Sequence, residues 1–230
     1  MPMEEKYSRL KQIVEKELME ASPAHDMNHV MRVYYLCIHL AKYESNLDLD
    51  VLKTAALLHD IARVKESQEV DHAVLGAAMS EKILKGLGYP EEKIERVKHC
   101  VAAHRFRGEI RPKTIEAKIL FDADKLDVLG AIGVARAFII AGEAGEKIYS
   151  DLPVDQYVRV NLVGGNPNGR IKDLSKHAPN LEFETKFKHI PDILHTQKAK
   201  EIGRQRLEYM KRFFETLRRE IHGAEKYSSN

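Results

Sequence analysis

The dipeptide His59-Asp60 closes an otherwise aliphatic run, Ala55-Ala56-Leu57-Leu58-His59-Asp60-Ile61. The dipeptide alone carries little weight, because His25-Asp26 is a second copy of it. Its position carries more. An imidazole and a carboxylate at the end of an Ala/Leu helix are costly to bury unless both have partners, and one metal ion serves a borderline imidazole and a hard carboxylate together. Such a site needs ligands from elsewhere in the chain, which offers His29 and, within Phe121-Asp122-Ala123-Asp124-Lys125-Leu126-Asp127, Asp124. At about 100° per residue, Asp124 and Asp127 share a helical face with Leu120 and Ala131, whereas Asp122 lies about 200° round from Asp124. Asp124 and Asp127 are therefore expected to point inward together.

Helices must position these residues. Apolar residues at Leu10, Ile13, Val14 and Leu18 form a helical stripe that ends near Ser22-Pro23, since proline disfavours helical geometry in the residue before it. A second helix carries Val30, Val33, Tyr34, Cys37, Leu40 and Ala41, and a third Leu52, Ala55, Ala56 and Leu58. The pattern over 71–87 closes on Gly86 and Gly88, and Pro90-Glu91-Glu92 then opens a helix through Ile94, Val97, Val101 and His104. Pro112 and Thr114 precede a helix expected to run unbroken over 115–141. His25 lies one turn before His29, and Asp26 is expected to cap the second helix.

Helical period fades over 142–191, which holds Gly164-Gly165-Asn166-Pro167-Asn168-Gly169 and reads as a long excursion. Within it, 157–163 alternates weakly, as a short strand would. From Leu194 a long amphipathic helix resumes, with Ala199, Ile202, Arg206, Met210, Phe213, Leu217 and Ile221 on one stripe. That stripe cannot be buried by the helix alone, so the expectation is one domain over 1–230. It comprises a core bundle at 1–141, a partly irregular insertion or lid at 142–193, and a C-terminal helix at 194–222 packing back on the bundle.

Composition narrows the function. Against 37 Lys and Arg stand 35 Asp and Glu, a net charge of +2 in 230 residues, so no strong signal for nucleic-acid binding exists. No run approaches the roughly 18 apolar residues of a membrane helix, the best, 130–142, being broken by Arg136. The N-terminus lacks the apolar segment of a secretory signal, so the cytoplasm is the expected location. Cys37 and Cys100 lie in apolar periodic segments and read as buried small hydrophobes rather than a disulfide.

The order His29, His59-Asp60, Asp124 in an all-helical background resembles the metal-dependent phosphohydrolases of the HD superfamily, whose pattern is H…HD…D. His29-Val30-Met31-Arg32-Val33 is similar to that family's first motif, the run ending in His59-Asp60-Ile61 to its second, and Asp122-Ala123-Asp124-Lys125-Leu126-Asp127 to its last. Residues 25–141 carry the resemblance, specifically that of the small bacterial and archaeal HD hydrolases. The C-terminal third, including 206–220, matches with less specific motifs.

The resemblance implies an all-α HD-type bundle holding a divalent ion on His29, His59, Asp60 and Asp124. Two imidazoles with two carboxylates favour Mn, Fe, Co or Ni over Mg or Zn. His72, at a helix start, and His104, on the Ile94-Val97-Val101 stripe, would face the same cleft. They would act as catalytic groups, as ligands of a second ion bridged by Asp60, or as hydrogen-bonded core histidines. His99, about 140° from His104, is peripheral.

Lys125 beside Asp124, Arg63 one turn after His59, and Arg105 with Arg107 after His104 are the candidate contacts to a phosphoryl group, solvated surface charge being the alternative. Asp127 would orient a ligand or Lys125. His177, His189, His195 and His222 have nothing to mark them as ligands. The implied reaction is hydrolysis of a phosphoester or phosphoanhydride in a nucleotide or small phosphorylated metabolite by metal-activated water, with catalytic roles for Asp60, His72, His104 and Lys125. A phosphodiesterase acting on cyclic nucleotides or nucleic-acid ends, and a non-catalytic metal-containing binding module, are the alternatives. A homo-oligomer is compatible with all three.

Overall fold

A computed structural model describes residues 3–67, 69–105, 110–167 and 169–224. Arg107 and Asn168 lie outside the described residues. Among those described, eleven α-helices and no strand occur, with one isolated antiparallel bridge between Leu162 and Ile171. The chain divides into two compact units, 1–127 with 194–199, and 128–193 with 200–230.

The first unit contains α1 (Met3–Glu17), α2 (Met27–Ala41), α3 (Leu49–Leu58), α4 (His72–Gly86), α5 (Glu91–Ala103) and α6 (Ile115–Leu126). Helix α3 is its centre. Val51, Leu52, Thr54, Ala55, Ala56, Leu57 and Leu58 are all buried, and α1, α2, α5 and α6 pack around it while α4 packs on α5. From Thr54 to Leu58 the helix is buried all round and needs no polar face, which is why that stretch ends in Ala and Leu. The helix starts are sharp because side chains satisfy backbone N–H groups left over there. Asp26 accepts from His29 N, Asp48 from Asp50 and Val51 N, Asp71 from Ala73 and Val74 N, and Thr114 from Ala117 N. Each such cap is worth about 1 kcal/mol. Three of these capped helices, α2, α4 and α6, carry site residues.

The second unit contains α7 (Gly130–Ala144), α8 (Val154–Asn161), α9 (Pro179–Thr185), α10 (Ile190–Ile193) and most of α11 (Gln197–Ile221). Two expectations are corrected here. The helix expected over 115–141 breaks into α6 and α7, because Gly130 takes φ +75° and the backbone turns there. Gly133 then comes so close to the Val128 carbonyl that a Cβ would meet its oxygen at 2.3 Å. The expected strand over 157–163 is instead α8 up to Asn161, with Tyr157 fully buried against Leu162 and Leu181. The excursion over 142–191 is accordingly more helical than its weak period suggested.

Asp122 illustrates what helical spacing resolves. Its carboxylate accepts from His195 N at 2.8 Å, Thr196 N at 2.7 Å and Thr196 Oγ1 at 2.8 Å, fastening the chain just before α11. Burial raises its pKa against those bonds. Asp122→Ala is expected to destabilise the chain by roughly 2–3 kcal/mol in urea unfolding, as loss of charge-assisted bonds does, while metal affinity stays unchanged.

Candidate metal centre

Five helix ends meet at one buried spot in the first unit. His29 lies in the first turn of α2, His59 and Asp60 follow the end of α3, His72 opens α4, His104 ends α5, and Asp124 lies in the last turn of α6. The four imidazoles and Asp60 are all buried. The C-terminal ends of α3, α5 and α6 bring the negative ends of their dipoles to the site, which favours a cation there.

Hydrogen bonds fix the imidazole tautomers. Asp127 receives a bidentate pair from Arg32, Nε to Oδ1 at 2.8 Å and Nη2 to Oδ2 at 3.0 Å, and as a carboxylate it only accepts. His29 Nδ1, at 2.7 Å from Asp127 Oδ2, therefore carries the proton, leaving a lone pair on Nε2. His59 Nδ1 donates to the Ala56 carbonyl at 2.9 Å and His104 Nδ1 to the Val101 carbonyl at 2.6 Å, so their Nε2 atoms also carry lone pairs. The Nε2 atoms of His29 and His59 face each other at 3.2 Å, with Asp60 Oδ2 and Asp124 Oδ1 each 3.5 Å from His29 Nε2. Two lone pairs and two carboxylate oxygens converging at these distances repel one another unless a cation lies among them.

The donor set fits a metal. Two atoms bound to one ion at about 2.1 Å stand roughly 3–4 Å apart, and His29 Nε2 lies 3.2 Å from His59 Nε2 and 3.5 Å from both Asp60 Oδ2 and Asp124 Oδ1, with His59 Nε2 4.0 Å from Asp60 Oδ2. Asp60 presents its other oxygen, Oδ1, to a second group, 3.5 Å from His72 Nε2 and 3.4 Å from His104 Nε2. His72 differs from the other imidazoles, since its Nδ1 lies 3.3 Å from the donor Arg63 Nη1 and 3.1 Å from the acceptor Glu66 Oε1, so both tautomers are served.

Burial lowers the His59 pKa to about 4, against the opposing pull of Asp60. Burial would raise the Asp60 and Asp124 carboxyls. The charge that the surrounding imidazoles take up in acid, that of His59 first, instead holds Asp60 well below the usual carboxylate range, and Lys125 with the imidazoles does the same for Asp124. The His59 ring and the two acids are thus in ligand form at neutral pH.

The structure brings His29, His59, Asp60 and Asp124 together, with His72 and His104 beside them. Lys125 Nζ lies 2.6 Å from Asp124 Oδ2 and 5.3 Å from the Phe121 ring centroid. Arg63 and Arg105 reach the His72 side, Arg63 by its bond to that imidazole and Arg105 through Glu66 and Asp71. His99 lies apart, accepting from Lys113 N.

Three residues at the site escaped the sequence reading. His25 sits 3.5 Å from Asp60 Oδ2 through Nδ1 while its Nε2 accepts from Arg63 at 3.2 Å, Arg32 anchors Asp127, and Glu66 pairs with both Arg63 and Arg105. Their spacing from motif residues was the available signal, His25 being four before and Arg32 three after His29. Asp127→Asn, which removes the anion fixing His29, is expected to lower metal affinity about 10–100-fold in chelator competition, the usual cost of losing such a partner.

Fold and site together define an all-helical protein built around a buried cluster of histidines and aspartates able to hold a metal. The chain belongs to the HD superfamily. The HD domain family model matches residues 26–129. The chain is 30% identical over 220 residues to the uncharacterized protein YpgQ of Bacillus subtilis, covering 94% of each. The crystal structure of B. subtilis YpgQ in complex with ADP superposes with a TM-score of 0.70 at 26% identity, over 96% of this chain and 97% of that one. An HD-superfamily hydrolase from Bacillus thuringiensis gives a TM-score of 0.70 at 28% identity, over 96% and 99%. The fold is that of HD-superfamily hydrolases. Among the described residues, no helix is long and apolar enough to cross a membrane.

Proposed function

We propose that the protein is a metal-dependent phosphohydrolase cleaving a phosphoester or phosphoanhydride bond of a nucleotide or small phosphorylated metabolite. The observation that carries this reading is the convergence of the His29 and His59 Nε2 lone pairs on the carboxylates of Asp60 and Asp124. Those four residues would hold the ion, with Mn, Fe, Co or Ni favoured by the mixed nitrogen and oxygen donors. When bound, the ion supplies Lewis acidity and lowers the pKa of water. The ADP bound in the similar YpgQ structure supports a nucleotide as ligand.

The chain's own residues do the rest. Asp127 and Arg32 keep the His29 proton on Nδ1, so that Nε2 stays available. Lys125 and Arg63 set positive charge on two sides of the cluster, where developing negative charge on phosphoryl oxygens is stabilised. Arg105, held by Asp71, adds a third cation on the His72 side. His72, able to keep its proton on either nitrogen, would hand a proton to a leaving oxygen, and the His104 Nε2 lone pair, 3.3 Å from His72 Nε2, would accept from that ring.

The test incubates metal-reconstituted protein with nucleoside mono-, di- and triphosphates, cyclic nucleotides and sugar phosphates while phosphate and pyrophosphate release are followed. Turnover of a nucleotide or sugar phosphate that chelator abolishes is the expected result. Full metal occupancy without turnover of any of these compounds would instead mark a binding module.

A further inference from the structure

On the side of His72 away from His104, a carboxylate sits where an anionic ligand of this enzyme would be held. Glu66 Oε1 lies 2.7 Å from Arg105 Nη2 and 3.1 Å from His72 Nδ1, and Glu66 Oε2 pairs with Arg63 Nη1. Two guanidinium forks and an imidazole around one anion are the elements of a phosphoryl site. The cations do not depend on Glu66 for their positions. Arg105 is held through its other nitrogen, Nη1, by Asp71 Oδ2, and Arg63 reaches His25 Nε2 at 3.2 Å through Nη2. Arg63, Glu66 and Arg105 are each partly exposed, so an incoming ligand reaches them from solvent.

We infer that Glu66 is an internal competitor that occupies the Arg63–Arg105–His72 anion site in the free protein and yields it to a terminal phosphoryl group of the substrate. The inference deepens the phosphohydrolase reading and takes its ligand class from it. A terminal phosphoryl brings a charge of about −1.5 to −2 and three acceptor oxygens at neutral pH, against one charge and two oxygens for the carboxylate. A phosphodiester carries one charge and has no such advantage. An internal competitor lowers the affinity of every anion by the fraction of time the site stands open, so weak anions fall out of the useful range and only the strongly charged terminal group binds at working concentrations.

The experiment measures binding of inorganic phosphate and of dimethyl phosphate at pH 8 by calorimetry, on the full chain with and without Mn²⁺. Wild type is compared with Glu66→Gln, Glu66→Ala and Glu69→Gln, the last removing an acid from the same loop. Glu66→Gln and Glu66→Ala are expected to tighten inorganic phosphate about tenfold or more, to bring dimethyl phosphate into the measurable range by the same factor, and to lose the gain when Arg105→Gln is added. Glu69→Gln is expected to bind phosphate as wild type does.

Unchanged or weaker phosphate affinity in both Glu66 variants overturns the inference, as does an equal gain in Glu69→Gln. Loss of folding in both Glu66 variants, seen by circular dichroism, assigns Glu66 to structure and overturns it equally. Because binding is read without turnover, a gain in phosphate affinity in a protein that hydrolyses nothing leaves the inference standing while the hydrolase reading fails. Turnover without that gain does the reverse.

Discussion

Asp60→Asn is expected to lower metal-dependent turnover by at least about a thousandfold. Asp60 faces both histidine groups, Oδ2 towards His29 and His25 and Oδ1 towards His72 and His104. The amide keeps the shape but offers one neutral oxygen in place of two charged ones, so the cluster loses a unit of negative charge and one of the two carboxylates proposed to hold the ion. Loss of a single preorganised electrostatic contact typically costs 10²–10³ in rate, and here the metal affinity falls as well. Steady-state kinetics and metal content measured on the same preparation check this. The helical circular dichroism signal is expected to persist, because α3, α4 and α5 are held by apolar packing. Retained turnover with retained metal would remove Asp60 from the centre.

The second large effect appears in the metal-free protein as acid is added. An imidazole in the unfolded chain titrates near 6.5, whereas burial holds His59 down to about 4. Between those values the unfolded state binds the extra proton, so stability falls as pH falls and is recovered as pH rises above about 6.5. A shift of this size corresponds to about 3 kcal/mol. His72, also lowered by burial, acts in the same direction. Below pH 4 the depressed carboxyls of Asp60 and Asp124 extend the loss, since their contribution disappears as they are protonated. Urea unfolding of chelated protein at pH 7.5 and pH 4.5 measures the difference. Divalent metal is expected to raise stability far more at pH 7.5, because metal and proton compete for the same nitrogens. A flat profile would mean that His59 is not buried as a neutral ring.

How much of this was readable from residues alone follows from what each feature depends on. His29, His59, Asp60 and Asp124 stand out because borderline and hard ligands interrupt aliphatic helices, and the phase of a helix is enough to separate Asp124 from Asp122. Arg32 and Glu66 are two of 72 charged residues, and their roles arise only when α2 meets α6 or the segment after α3 meets the end of α5. Local propensity misled at two places. Val158, Val160 and Val163 suggest a strand, yet Val154, Tyr157, Val158 and Asn161 fall at helical spacing behind Pro153, and the burial of Tyr157 against Leu181 decides for α8. The break between α6 and α7 rests on the positive φ of Gly130, a conformation glycine permits but does not announce.

We propose that one cation belongs among His29, His59, Asp60 and Asp124. Crystals grown with Mn²⁺ and measured at the manganese absorption edge test it directly. An anomalous peak is expected about 2 Å from His29 Nε2, His59 Nε2 and a carboxylate oxygen each of Asp60 and Asp124. Manganese bound elsewhere while these four side chains keep their places without it would remove them as the ligand set.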